Sequence, residues 1–124
     1  MPVVLDTTFL VDLGRESEDA RRLLEELAGR TEQLLVPTVV AAEYLGGSRD
    51  PEHDLARLQD ATEVLPFTVE DAVAAAWVAA ETLARGTFPG WTDCFIAGVA
   101  RSRGNLAVVT ANPRHFPLSQ TVSY

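Results

Sequence analysis

The chain has 124 residues, 47% apolar and 23% charged, which is the size and balance of one folded domain and excludes a disordered or fibrous chain. Its net charge of −8 excludes broad electrostatic capture of nucleic acid, though not contact with phosphate through bound metal ions. All ten basic residues are Arg, which removes lysine Schiff bases and P-loop chemistry, and Cys94 is the sole cysteine, which removes an internal disulfide and any multi-cysteine zinc site.

In chain order, Val3 to Asp6 is a short β-branched run and the first predicted strand. Glu16 to Arg30 carries Ala20, Leu23, Leu24, Leu27 and Ala28 at the spacing of one helical stripe. Gln33 to Val36 is a second strand, stopped by Pro37. Thr38 offers an N-cap to a helix bearing Val39, Val40, Ala42, Glu43 and Leu45, with Gly46-Gly47 as its stop. Asp50-Pro51 opens a helix to about Gln59. Thr62 to Phe67 is a weaker strand, and Thr68-Val-Glu-Asp71 resembles a capping box at the head of a long Ala-rich helix closed by Gly86. A helix from about Thr92 to Arg103 ends at Gly104, Leu106 to Thr110 is the most apolar strand, and Thr121 to Tyr124 is a short last one.

Alternating strands and helices predict an α/β fold, with a mainly parallel sheet covered on both faces and a single domain over residues 1–124. No basic leader precedes an apolar segment, and the longest apolar run, Ala72 to Ala80, is too short to span a bilayer. The expectation is a soluble cytoplasmic chain with no membrane contact.

Working sites in parallel α/β sheets lie at the carboxyl ends of the strands. Asp6 ends the first strand, Asn112 follows the strand Leu106–Thr110, and Asp93 begins the helix before that strand. That helix runs away from the edge by about 16 Å and the strand returns by about 16 Å, so Asp93 and Asn112 share one edge. Glu43 stands more than one turn into its helix, and counting leaves its position open. Crowded carboxylates repel unless a cation neutralises them, and their hard oxygens select Mg²⁺ or Mn²⁺ over zinc. Such ions suit phosphoryl chemistry.

Four segments, Val-Leu-Asp6-Thr-Thr-Phe-Leu-Val-Asp-Leu, Ala-Ala-Glu43-Tyr-Leu, Asp93-Cys-Phe-Ile-Ala and Val-Val-Thr110-Ala-Asn112-Pro-Arg-His-Phe, resemble the PIN-domain nucleases, in particular the VapC-type toxins of toxin–antitoxin pairs. The resemblance covers nearly the whole chain. It implies a PIN-like three-layer α/β/α fold and a homodimer. It implies hydrolytic cleavage of RNA as a Mg²⁺- or Mn²⁺-dependent endoribonuclease, and a cognate VapB-like antitoxin. It makes Asp6, Glu43 and Asp93 the catalytic, metal-binding acids and matches Asn112 to a fourth metal position where the family uses Asp or Asn. Thr8 and Thr110 match supporting hydroxyl positions, either on the metal or holding its waters.

Other residues have plainer readings. Glu43 lies on a helix face that looks buried and needs a partner. Asp93 is placed to cap its helix, and Asp12 reads as a solvated helix-end residue. Cys94 reads as core, His115 as a turn residue beside Phe116, and His53 as solvent-facing. Trp77 and Trp91 read as core or dimer contacts. Arg15 and Arg114, near the predicted edge, are candidates for contact with RNA, and Arg101 and Arg103 favour a helix dipole. A phosphoacceptor domain is disfavoured by the missing lysine and by Thr8 where dehalogenase-type phosphatases carry a second Asp. A non-catalytic PIN-like module that binds RNA or protein, and an RNA-processing PIN nuclease, stand as alternatives.

Overall fold

The computed structural model describes residues Met1–Tyr124. Five strands form one parallel sheet in the order β3-β2-β1-β4-β5: β1 Val3–Leu5, β2 Leu34–Pro37, β3 Glu63–Leu65, β4 Ala107–Val109 and β5 Thr121–Val122. From β1 the chain steps outward through β2 to β3, then returns across the sheet to β4 and β5. Parallel crossovers are right-handed, so the reversal sends the helices to opposite faces. Helices α1 (Thr7–Gly14), α2 (Glu18–Gly29) and α4 (Pro51–Ala61) belong to the first set of crossovers, and α5 (Val69–Ala84) and α6 (Trp91–Ser102) to the return. This is the expected α/β/α arrangement. No helix is long and apolar enough to cross a membrane.

The central strands β1, β2 and β4 carry Val4, Leu5, Leu35, Val36, Val108 and Val109 in a single core cluster that also takes Phe9, Leu27, Ile96 and Val99 from the helices. Apolar burial on both sheet faces is what a covered parallel sheet requires. Helix α3 (Thr38–Leu45) departs from the layered pattern: it packs against α1, α4 and α6, lying over the carboxyl edge of the sheet.

Several local expectations are corrected. Residues Thr7–Gly14, left without an element by the sequence, form α1 directly off β1. The next helix begins at Glu18 under a Ser17 cap, because Glu16 holds a positive φ of 61°. Thr38 does not cap α3, since Pro37 holds that position and the Thr38 hydroxyl accepts the Phe67 amide at 3.2 Å instead. Asp12 is not merely solvated, because it accepts the Tyr124 hydroxyl at 2.6 Å. Trp77 and Trp91 are not core residues; they are 62% and 54% exposed. Arg103 does more than favour a dipole. It donates to Asp71, a carboxylate with 0% exposure.

The expected capping box at Thr68 and Asp71 is formed in both directions. Asp71 also accepts from Ser102, so it ties the start of α5 to the end of α6. The two helices touch backbone to backbone at Gly98, where an added Cβ would meet Ala75 N at 2.7 Å and Ala75 Cα at 2.8 Å. Burial pushes the Asp71 carboxyl upward, but hydrogen bonds from Arg103, Ser102 and Thr68, with the Arg103 charge, outweigh it and hold the group below its ordinary value.

Its stabilisation is therefore complete above the unfolded value near pH 4 and is lost as pH falls through the depressed folded value. Asp71→Ala should cost about 2–3 kcal/mol at pH 7, because it strands Arg103 and two other donors. That corresponds to a melting temperature lower by about 10 °C. The gap between variant and wild type should narrow below pH 4; melts at pH 7 and pH 3 check both, and an equal gap at both values would contradict the assignment.

Candidate active site

Chain direction reverses between β1 and β4, which opens a crevice at their carboxyl ends. Leu5 is in register with Val109, so the next residues, Asp6 and Thr110, meet at its floor. The Asp6 amide donates to Val109 O at 3.0 Å, and its side chain, 4% exposed, caps α1. Asp6 Oδ1 accepts the Thr7 amide at 2.7 Å, while Oδ2 accepts the hydroxyls of Thr8 at 3.0 Å and Thr110 at 2.8 Å. Both expected supporting hydroxyls therefore hold Asp6.

Glu43 reaches this edge because α3 lies across it, which settles the position that counting left open. Its side chain is exposed, not on a buried face as expected, and its partner is the Thr7 hydroxyl, which donates to Oε1 at 2.7 Å. Asp93 is the third residue of α6, whose N-cap is Gly90 at φ 109°, so Asp93 is not the cap. Its Oδ2 pairs with His115 Nδ1 at 3.1 Å. Burial raises the Asp93 carboxyl above its ordinary value, and the charges of Asp6 and Glu43 add to this while His115 opposes it. The three acids thus share one field.

The remaining residues lie further from this floor. Asn112 is exposed, and only its backbone is engaged, with its amide donating to Thr110 Oγ1 at 3.0 Å. Arg114 is exposed on the short 3-10 turn Pro113–His115. Arg15 caps the end of α1 remote from Asp6, about 12 Å along the helix. Cys94 is fully buried, and burial pushes its thiol up, so it offers no nucleophile. Thr7 escaped the sequence, concealed by the missed α1, and so did the pairing of His115 with Asp93, although His115 itself reads in sequence either as an RNA contact near the site or as a turn residue.

Asp6 is engaged at both oxygens, whereas Glu43 and Asp93 are each engaged at one. Hydrogen bonds take one lone pair of Asp6 Oδ1 and of Glu43 Oε1, and His115 pairs with Asp93 Oδ2, leaving capacity on Asp6 Oδ1, Glu43 Oε2 and Asp93 Oδ1. These are hard oxygen donors in a negative field, a donor set that fits a divalent cation. No three His, Cys, Asp or Glu side chains converge closely enough to enclose a single ion.

Asp93→Asn removes a carboxyl whose folded state titrates above the unfolded one. Such a group weakens the fold as pH rises through its raised value. In EDTA, the melting temperature of wild type minus that of Asp93→Asn should fall between pH 4 and pH 7. A difference that stays constant or grows would contradict the shared field.

No curated protein matches the chain. Among solved structures, a DNA-bound VapBC from Salmonella typhimurium is similar with 29% identity and a TM-score of 0.79, covering 99% of this chain and 98% of that one. VapBC2 from Rickettsia felis, bound to a fragment of its promoter DNA, has 21% identity and a TM-score of 0.81, covering 100% and 99%. VapBC-1 from nontypeable Haemophilus influenzae also has 21% identity and a TM-score of 0.81, covering 99% and 98%. The model of the PIN domain matches residues 3–118, almost the full length, and the chain belongs to the PIN domain family.

Proposed function

We propose that this chain is a Mg²⁺- or Mn²⁺-dependent endoribonuclease and the toxin of a VapBC-type toxin–antitoxin pair. The observation that carries the reading is the gathering of acids at the crevice between β1 and β4: Asp6 on its floor, Glu43 bound to the adjoining Thr7 hydroxyl at 2.7 Å, and Asp93 in the first turn of α6, where both charges act on it. PIN family membership and the likeness to VapBC structures support it.

Asp6, Glu43 and Asp93 would hold the cation only by drawing together around it, since they do not enclose one as they stand, with the neutral Asn112 at the edge. A bound divalent ion supplies charge for phosphate oxygens and a water activated for attack. The chain's own residues do the positioning. Thr8 and Thr110 fix the Asp6 carboxylate, Thr7 fixes Glu43, and His115 restrains Asp93 and offsets part of its charge. This arrangement explains how a protein of net charge −8 handles an acidic polymer without a basic surface.

The antitoxin has a fitting groove. A cavity of about 550 Å³ between α1, α2 and α4 is lined by Leu10, Leu13, Leu24, Leu34 and Leu58, with Glu16, Asp54 and Arg57 among its polar residues. Tyr44, the neighbour of Glu43 in the chain, is among its lining residues. An antitoxin segment along this groove would bring a basic side chain to the same carboxylates, in competition with metal.

RNA cleavage should require Mg²⁺ or Mn²⁺, stop in EDTA and fall by orders of magnitude in Asp6→Asn and Asp93→Asn. Attack by water leaves 5′-phosphate and 3′-hydroxyl ends, and inhibition by the cognate antitoxin should weaken as Mg²⁺ rises. Cleavage that survives chelation, or cyclic 2′,3′-phosphate products, would end the reading. Binding of RNA without cleavage under any metal would favour the non-catalytic module, which the neutral Asn112 also suits.

The homodimer has a surface in α5. Val69, Val73, Ala76, Trp77, Ala80 and Leu83 fall within an arc of about 120° and are all exposed, with no charged side chain among them. A patch of this kind on a monomer marks an association face. Two copies that each carry −8 repel elsewhere, so an uncharged face suits a second copy. Small residues at positions 76 and 80, flanked by Trp77 and Leu83, allow close helix approach. Sedimentation should find a dimer for wild type and a monomer for Ala76→Glu, with unchanged circular dichroism. A wild type that remains monomeric at tens of micromolar would remove this face from consideration.

A further inference from the structure

Tyr124 follows β5 and lies against α1. Its ring meets Phe9 edge-on, with centroids 5.3 Å apart at 66°, and its hydroxyl donates to Asp12 Oδ2 at 2.6 Å. Asp12 has no cationic partner, so this half-buried carboxylate is committed to a phenol. Asp12 stands four residues after Thr8, on the same face of α1. Thr8 is the residue that donates to Asp6 Oδ2, while its oxygen accepts the Ala111 amide at 3.1 Å and lies 3.4 Å from Thr110 Oγ1.

Thr8 has one hydroxyl proton and two oxygens within reach of it, Asp6 Oδ2 and Thr110 Oγ1. Which one receives the proton depends on how the first turns of α1 sit against β4. The Tyr124 ring and hydroxyl pin that helix from outside, one turn beyond Thr8. Burial holds the phenol above its ordinary range, with Asp12 reinforcing this, and both the Thr8 hydroxyl and the Asp6 charge act on it. The phenol therefore stays a protonated donor at neutral pH, in electrostatic contact with the crevice.

We propose that Tyr124, clamped by Asp12, is a positioning residue for Asp6: it holds α1 so that Thr8 keeps its proton on Asp6 Oδ2 and leaves Oδ1 with its open lone pair. This rests on reading Asp6 as a site carboxylate. Tyr124 touches neither substrate nor reacting atoms; it acts through Thr8.

The test is Tyr124→Phe, which keeps the ring against Phe9 and removes only the hydroxyl. Its melting temperature should stay near wild type. Mn²⁺ affinity, measured from the electron paramagnetic resonance of free Mn²⁺, should weaken by about tenfold, and kcat for RNA should fall by a similar factor with little change in KM. Asp12→Asn keeps an oxygen acceptor for the phenol and should retain wild-type values, whereas Asp12→Ala should behave as Tyr124→Phe does. On metal-free protein, the ¹³Cγ resonance of Asp6 and the hydrogen exchange of the Thr7 amide should change in Tyr124→Phe and not in Asp12→Asn. These last two readouts do not need nuclease activity. A wild type that neither binds Mn²⁺ nor cuts RNA would sink the nuclease reading while leaving them valid. A Tyr124→Phe protein with the wild-type Asp6 resonance and Thr7 exchange would make the phenol a packing anchor only and overturn the proposal.

Discussion

Asp6 is almost fully enclosed and no cation pairs with it, so the protein must supply the solvation that water would have given. It does so with three donors from two separate stretches of chain: the first amide of α1, the Thr8 hydroxyl on the same helix, and the Thr110 hydroxyl beyond β4. Satisfying one charge therefore fixes where α1 begins and how its first turn meets β4. The strand reversal opens the crevice, and that requirement builds its floor. The same hydroxyls that stabilise the carboxylate also aim it, so stability and site geometry cannot be adjusted separately at residues 8 and 110.

Around this floor the other two acids are held less tightly. Glu43 is exposed and oriented by one hydroxyl, and Asp93 is restrained by a histidine that only partly offsets the repulsion it feels. The gradient runs from a carboxylate buried by the fold to carboxylates presented by helices. Helix α3 makes the gradient possible, because it abandons its layer to lie across the sheet edge and bring Glu43 over.

Much of this was legible from spacing alone. The five strands, their parallel pairing and the capping box at Thr68 follow from period and turn chemistry, and element length placed Asp93 and Asn112 at one edge. Helix α1 was not legible, because Thr7-Thr-Phe-Leu-Val continues the β-branched and aromatic character of β1 and hides a change of period behind a single capping aspartate. Glu43 looked buried because its helix is apolar in sequence, yet a helix lying over an edge turns one flank to solvent. Trp77 and Trp91 looked like core for the same reason: composition reports what a residue prefers, not whether a neighbour covers it. The contacts of His115 with Asp93, and of Arg103 with Asp71, join residues 22 and 32 positions apart and leave no local trace. Family resemblance supplied a position for Glu43 where counting could not.

The backbone contact at Gly98 bears on how distant parts of the molecule communicate. Where side chains meet, a helix can shift by exchanging rotamers; where Gly98 meets the main chain of Ala75, there is nothing to exchange. Helices α5 and α6 therefore form a single stiff lever, with the uncovered apolar flank of α5 on one arm and the Asp93 end of α6 on the other. Position 98, more than a turn from Asp93 and touching no part of the crevice, is thus closed to any residue bulkier than a hydrogen atom, and its tolerance to mutation should resemble that of the chemistry it never meets.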